Sequence, residues 1–170
     1  MREAAVPGYR LSRAKQSTRI LITLGMFGLF LGLIFSIALT LSRTGIFPSD
    51  ISVYYRGTET AEGSLDKMLQ RSVPRPFAEI AEHTHNHIMG GSILLFLLCH
   101  LLALCDVKDS TRSTLYIVSF SSFLLTFGSP WLIIYLSPAF AYLYSISVSV
   151  LTLSLLLLCL IPIREMWFSD

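Results

Sequence analysis

The sequence predicts an all-α integral membrane protein: a four-transmembrane-helix bundle with cytoplasmic N and C termini and a long outer loop between helices 1 and 2. Three observations predict it. The 170 residues are 53% hydrophobic and only 14% charged, with mean hydropathy +0.63, where soluble domains carry about 25% charge. Four stretches are long and apolar enough to cross a hydrocarbon core of ~30 Å, which takes ~20 residues of helix. The basic residues are also unequally shared between the two sides that those stretches define.

Residues 1–19 form a basic tail carrying Arg2, Arg10, Arg13, Lys15 and Arg19. The first span is expected from about Ile20 to Leu41. Its apolar run exceeds a usual signal-peptide core of about 7–15 residues, so a retained anchor is expected despite the small-x-small sequence Ser36-Ile37-Ala38. Residues 42–82 form the long loop. Within it Gly57 to Gly63 is turn-rich, and Ser64 caps an expected short amphipathic helix with Leu65, Met68 and Leu69 on one face. Pro74 ends that helix and Pro76 suits the first turn of another. The spacing of Phe77, Ile80, Ala81, Thr84 and Ile88 is helical. The second span, Asn86 to Cys105, is therefore expected to extend outward to about Pro76.

The third span is expected from Leu115 to Leu136 and the fourth from Ala139 to Ile161, with Ser137-Pro138 making a tight hairpin. Irregular backbone is not tolerated against lipid, which makes four helices the economical arrangement. Adding Lys108, Arg112 and Arg164 to the tail gives eight basic residues on one side. The loop has five (Arg43, Arg56, Lys67, Arg71 and Arg75) together with six acids. The positive-inside rule then places the termini in the cytoplasm. A net charge of +2 gives no argument for nucleic acid. Cys99, Cys105 and Cys159 are singletons in apolar surroundings, without a C-x-x-C or C-x-x-C-H. No Ser-His-Asp arrangement, phosphate loop or nucleotide fingerprint is present.

The candidate chemistry lies in the second helix. All four histidines, His83, His85, His87 and His100, fall within it. Ionisable residues in a membrane helix mark function by default, and histidine is the commonest metal and haem ligand. His85 and His100 are separated by about 60° of rotation and ~22 Å of rise. His87 and His100 lie about 140° and ~20 Å apart. Two histidines near opposite surfaces could hold two stacked haems, with His85 or His87 on the outer one and His100 on the inner.

That arrangement resembles the four-helix core of the cytochrome b class. The chain is also similar to uncharacterised bacterial four-span membrane proteins with a Tyr-Arg-Gly loop, a Thr-His-x-His helix start and a later His-Leu. Here these are Tyr55-Arg56-Gly57, Thr84-His85-Asn86-His87 and His100-Leu101, accompanied by Pro130-Trp131 in the third span. The resemblance implies a haem b-binding electron-transfer subunit in a bacterial inner membrane, exchanging electrons between quinone and an outer partner. It departs from the cytochrome b pattern because the other three spans contain no histidine. The second axial ligand must then come from a second copy, from a partner subunit or from a methionine such as Met26, unless the haem is five-coordinate.

A second expectation is a Cu or Zn site at the outer surface, drawn from His83, His85, His87, Glu79 and Glu82. Glu82-x-x-His85 is an i,i+3 pair, and Glu79–His83 and His83–His87 are i,i+4 pairs. A third is a cofactor-free structural subunit, with His100 donating to a carbonyl or to Ser119, Ser121 or Ser122. Gly28 and Gly32 have small-x-x-x-small spacing, and Ser145, Ser147, Ser149 and Ser154 line the fourth span, both expected to mediate helix contacts. Gly90-Gly91 should admit another helix or a flat ligand. Trp131, Tyr135, Tyr142, Tyr144 and Trp167 are expected interface anchors.

Overall fold

The computed structural model describes residues 10–57 and 73–168. Among them the chain is helical, without strands: a 3-10 turn Leu11–Arg13, then α1 (Gln16–Thr44), α2 (Pro48–Arg56), α3 (Phe77–Ala103), α4 (Asp109–Tyr135) and α5 (Phe140–Phe168). Four of these, α1, α3, α4 and α5, are long and apolar enough to span a membrane. The end of the bundle where α1 stops and α3 begins is the loop end; the other is the terminal end. The expected helix over Ser64–Leu69 lies outside the described residues.

α4 and α5 run longer than their apolar cores. α4 starts at Asp109, whose carboxylate suits a helix N-terminus. α5 continues through Pro162 to Phe168. Proline removes one backbone donor and frees the carbonyl four residues earlier. At Pro130 that carbonyl belongs to Thr126, and the Ser129 hydroxyl donates to it at 3.3 Å. Such local repair is how proline survives in a membrane helix.

α4 and α5 pack most extensively, with α3 against both. Their shared core holds Leu95, Leu98, Leu102, Phe123 and Leu158, with Met26 of α1 inserted from the side. Serine and threonine hydroxyls fill the tight parts of the α4/α5 contact. Ser122, Thr126, Ser147 and Ser154 are buried and bond back to carbonyls of their own helix. Of the serines expected to join helices in α5, Ser147 and Ser154 are buried by small size rather than by bonds across the interface, while Ser149 is exposed. Gly91 is where α3 and α4 approach: a Cβ there would collide with the Phe123 ring. Gly28 and Gly32 behave otherwise. A Cβ at either meets nothing within 4 Å, so the expected close helix contact is not made within the chain.

α2 was not foreseen. Pro48 at its start has the fixed φ of a first helical residue. Gly45 and Gly57 bound it, each at φ 76, where glycine alone is unstrained. Ile51 and Tyr55, one turn apart, are buried against Ile133 and Ala141. At the terminal end the Leu11 amide donates to the Leu104 carbonyl at 3.0 Å, and Leu11 packs with Cys105 and Met166. Arg112 donates to the carbonyls of Cys105 and Val107, pinning the α3–α4 turn.

The tryptophans do more than anchor at an interface. Trp131 Nε1 donates to Thr84 Oγ1 at 2.9 Å and ties α4 to α3, while Trp167 Nε1 donates to Thr23 Oγ1 at 3.0 Å and ties α5 to α1.

Candidate functional site: a long cavity and two pairs of histidines

α1 packs chiefly on α5 and α2. The space left between it and α3–α5 is a cavity of about 770 Å³. Its α1 wall runs from Gly28 to Thr44, its α3 wall from Glu79 to Leu98 and its α5 wall from Tyr144 to Cys159. The deep part is apolar, formed by side chains such as Leu94, Leu98, Phe123 and Leu155. The loop end is polar, with Arg43, Arg75, Glu79, Glu82, His83 and His87.

Local packing explains the rim. The Arg75 amide donates to the Tyr55 carbonyl at 3.1 Å, and its guanidinium lies 3.8 Å from the centre of the Tyr54 ring. The same side chain pairs with Glu79. Arg75 therefore fastens α2 to the start of α3 and occupies Glu79. Arg43, at the last turn of α1, forms no ion pair or hydrogen bond with another described residue. Burial pushes the phenol of Tyr55, beneath this rim, well above its ordinary pKa, with the nearby Tyr144 phenol adding to the effect.

The four histidines divide into two pairs. His83 and His87 lie on the cavity wall with ring centroids 4.4 Å apart, as one helical turn dictates. His87 stacks on Phe127 of α4 at 4.6 Å with 12° between the planes. His85 and His100 are exposed and are not on that wall. His100 stacks against Phe96, centroids 6.3 Å apart, and makes none of the bonds to α4 serines that sequence reasoning offered it. Tyr116 instead donates to the carbonyl of Cys99 beside it, at 3.0 Å.

These positions show which side chains the walls would offer a haem. The α3 wall supplies imidazoles, but the facing α1 wall supplies Gly28, Gly32, Ser36 and Thr40, none an axial ligand. Met26 is 3% exposed within the core and does not line the cavity. This chain thus offers an imidazole from one side only. For a metal, His83 and His87 are adjacent, Glu79 is held by Arg75 and His85 points elsewhere. Among the described residues no three His, Cys, Asp or Glu side chains group as a metal centre would require. Arg43, Arg75 and the cavity itself were missed from sequence. Arg75, just before the histidine helix, and Arg43, at the end of α1, were the available signal.

Fold and site together define a multi-pass integral membrane protein with a polar-rimmed cavity inside its helix bundle. Residues 45–170 match Aq_1264_TM, a transmembrane helical domain, and the chain belongs to that family. The match takes in α2 to α5 and leaves α1 outside it. No curated protein and no solved structure matches the chain.

Proposed function

We propose that the chain is a haem b-binding subunit of a larger membrane electron-transfer assembly, oriented with its termini in the cytoplasm. The observation that carries this reading is the outward display of His85 and His100 on α3. They stand ~22 Å apart along one helix, within about 60° of a common face, and neither has a hydrogen-bond partner among the described residues. Ionisable side chains on membrane helices normally face protein or water rather than lipid. A second chain against this face, whether another copy or a different subunit, would enclose both imidazoles and bring the opposing ligands. His87 is the other candidate for the outer position, facing the cavity. A haem held between imidazoles supplies one-electron transfer, and the protein contributes ligands, burial and orientation. Electrons would pass between quinone and an outer-side partner.

The test is haem content per chain, by pyridine haemochrome assay and reduced spectrum, in the assembly isolated from its native membrane. His100→Ala should lose the inner haem, and either His85→Ala or His87→Ala the outer one. Full haem content in all three variants would remove α3 from the ligand set.

A Cu or Zn site is supported by one distinct observation, the His83–His87 ring contact. Two imidazoles one turn apart can chelate a metal, with further donors required from outside this chain. Stoichiometric Cu or Zn that disappears in both His83→Ala and His87→Ala would favour it over haem.

A further inference from the structure

We infer that the cavity between α1 and α3–α5 is a binding site for one long-chained amphipath with an uncharged, hydrogen-bonding head. It uses neither His85 nor His100, and it shares only His87, the alternative outer haem position, with the haem reading.

Dimensions come first. From Glu79 to Leu98 the α3 wall rises ~28 Å, and from Gly28 to Thr44 the α1 wall rises ~24 Å. A volume of about 770 Å³ lies within the range of small-molecule sites, about 300–1,000 Å³. A space that runs this far between two helices suits an extended hydrocarbon or isoprenoid chain.

The walls agree. Gly28 and Gly32 remove the side chain at two places on the α1 wall, and a Cβ on either would meet nothing within 4 Å. The chain therefore does not use these glycines to bring its own helices together. They widen the slot where Leu94, Leu98 and Leu155 line its other sides. An empty apolar channel forfeits dispersion contacts along its whole length, and a chain-like occupant restores them.

The rim selects the head. Arg43 and Arg75 are matched by Glu79 and Glu82, so the described rim groups carry two formal positive and two formal negative charges. Arg75 is already bound to Glu79. That balance offers a phosphate head no net attraction and would oppose its desolvation. His83, His87 and Asn86 supply neutral donors and acceptors at the same level. The His87–Phe127 stack adds a flat aromatic surface beside them. Carbonyl and hydroxyl heads fit these groups. Two sources share that chemistry, an isoprenoid quinone and a monoacylglycerol-like lipid.

The test uses the full chain in detergent micelles and measures equilibrium binding of three probes: decylubiquinone, monoolein and dioleoylphosphatidylglycerol. Gly32→Leu places a branched side chain in the slot. Gly25→Leu makes the same change on α1 outside it, since Gly25 does not line the cavity. At least one neutral probe should bind more tightly than the anionic lipid. Its affinity should fall at least tenfold in Gly32→Leu and stay unchanged in Gly25→Leu, with both variants melting like the parent. Tighter binding of decylubiquinone than monoolein identifies a quinone site; the reverse identifies a neutral-lipid site. Equal affinity in the two leucine variants, or preference for the anionic lipid, would overturn the inference.

Discussion

Gly91 and Gly32 line the same cavity from opposite walls, and they are there for opposite reasons. Gly91 exists so that Phe123 of α4 can press onto α3; any side chain would occupy the ring's place. A Cβ on Gly32 would meet nothing within 4 Å. The first belongs to α2–α5, where contacts within the chain account for Gly91 and bury Ser122, Thr126, Ser147 and Ser154. The second belongs to α1, of which only Met26 and Thr44 are buried. At Gly91 the chain packs on itself; at Gly32 it leaves open space between helices.

Substitutions can sharpen or break this contrast. The largest effect should come from Tyr55→Ala. Tyr55 is 6% exposed, packs edge-on to Tyr144 with centroids 6.0 Å apart, and sits on Ile133 and Ala141. Truncating a buried aromatic costs about 3 kcal/mol or more, so detergent melting should fall steeply and proteolysis near Arg56 should accelerate. Gly91→Leu should come next, at about 1–3 kcal/mol for forced overpacking, seen as a lower melting temperature. Trp131→Phe keeps the ring but loses the bond to Thr84, a loss of about 0.5–1.5 kcal/mol measurable by the same melt. Smallest should be Gly32→Leu, neutral or stabilising by up to about 1 kcal/mol through helix propensity. If Gly32→Leu destabilised the fold as much as Gly91→Leu, α1 would be packed like the rest and the contrast would fail.

The four spans were legible because lipid imposes a length and a composition on each helix, which local sequence records directly. The unbroken run of α3 from its Pro76 cap was legible for the same reason, from the spacing of Phe77, Ile80 and Thr84. α2 was not, because nine residues of mixed polarity give no strong periodic signal. Pro48 and the Ile51–Tyr55 pair are the clues that would have found it. Helical arithmetic correctly separated His87 from His100 by face. It could not show that His87 would border a cavity, because that depends on how far α1 stands from α3. The role of Gly28 and Gly32 was not legible for the same cause: the spacing marks a bare helix face and leaves open whether a helix or a ligand lies against it. The pairing of Glu79 with Arg75 was not legible either, because it depends on where the chain before α3 places the guanidinium.

We propose that α3 is a ligand-bearing helix of an electron-transfer assembly. The decisive measurement is the dithionite-reduced minus oxidised visible spectrum of the isolated assembly containing this chain, with iron, copper and zinc determined on the same sample. A sharp reduced α band in the b-type region and iron in whole-number ratio to the chain are expected. A featureless difference spectrum without iron would contradict the proposal.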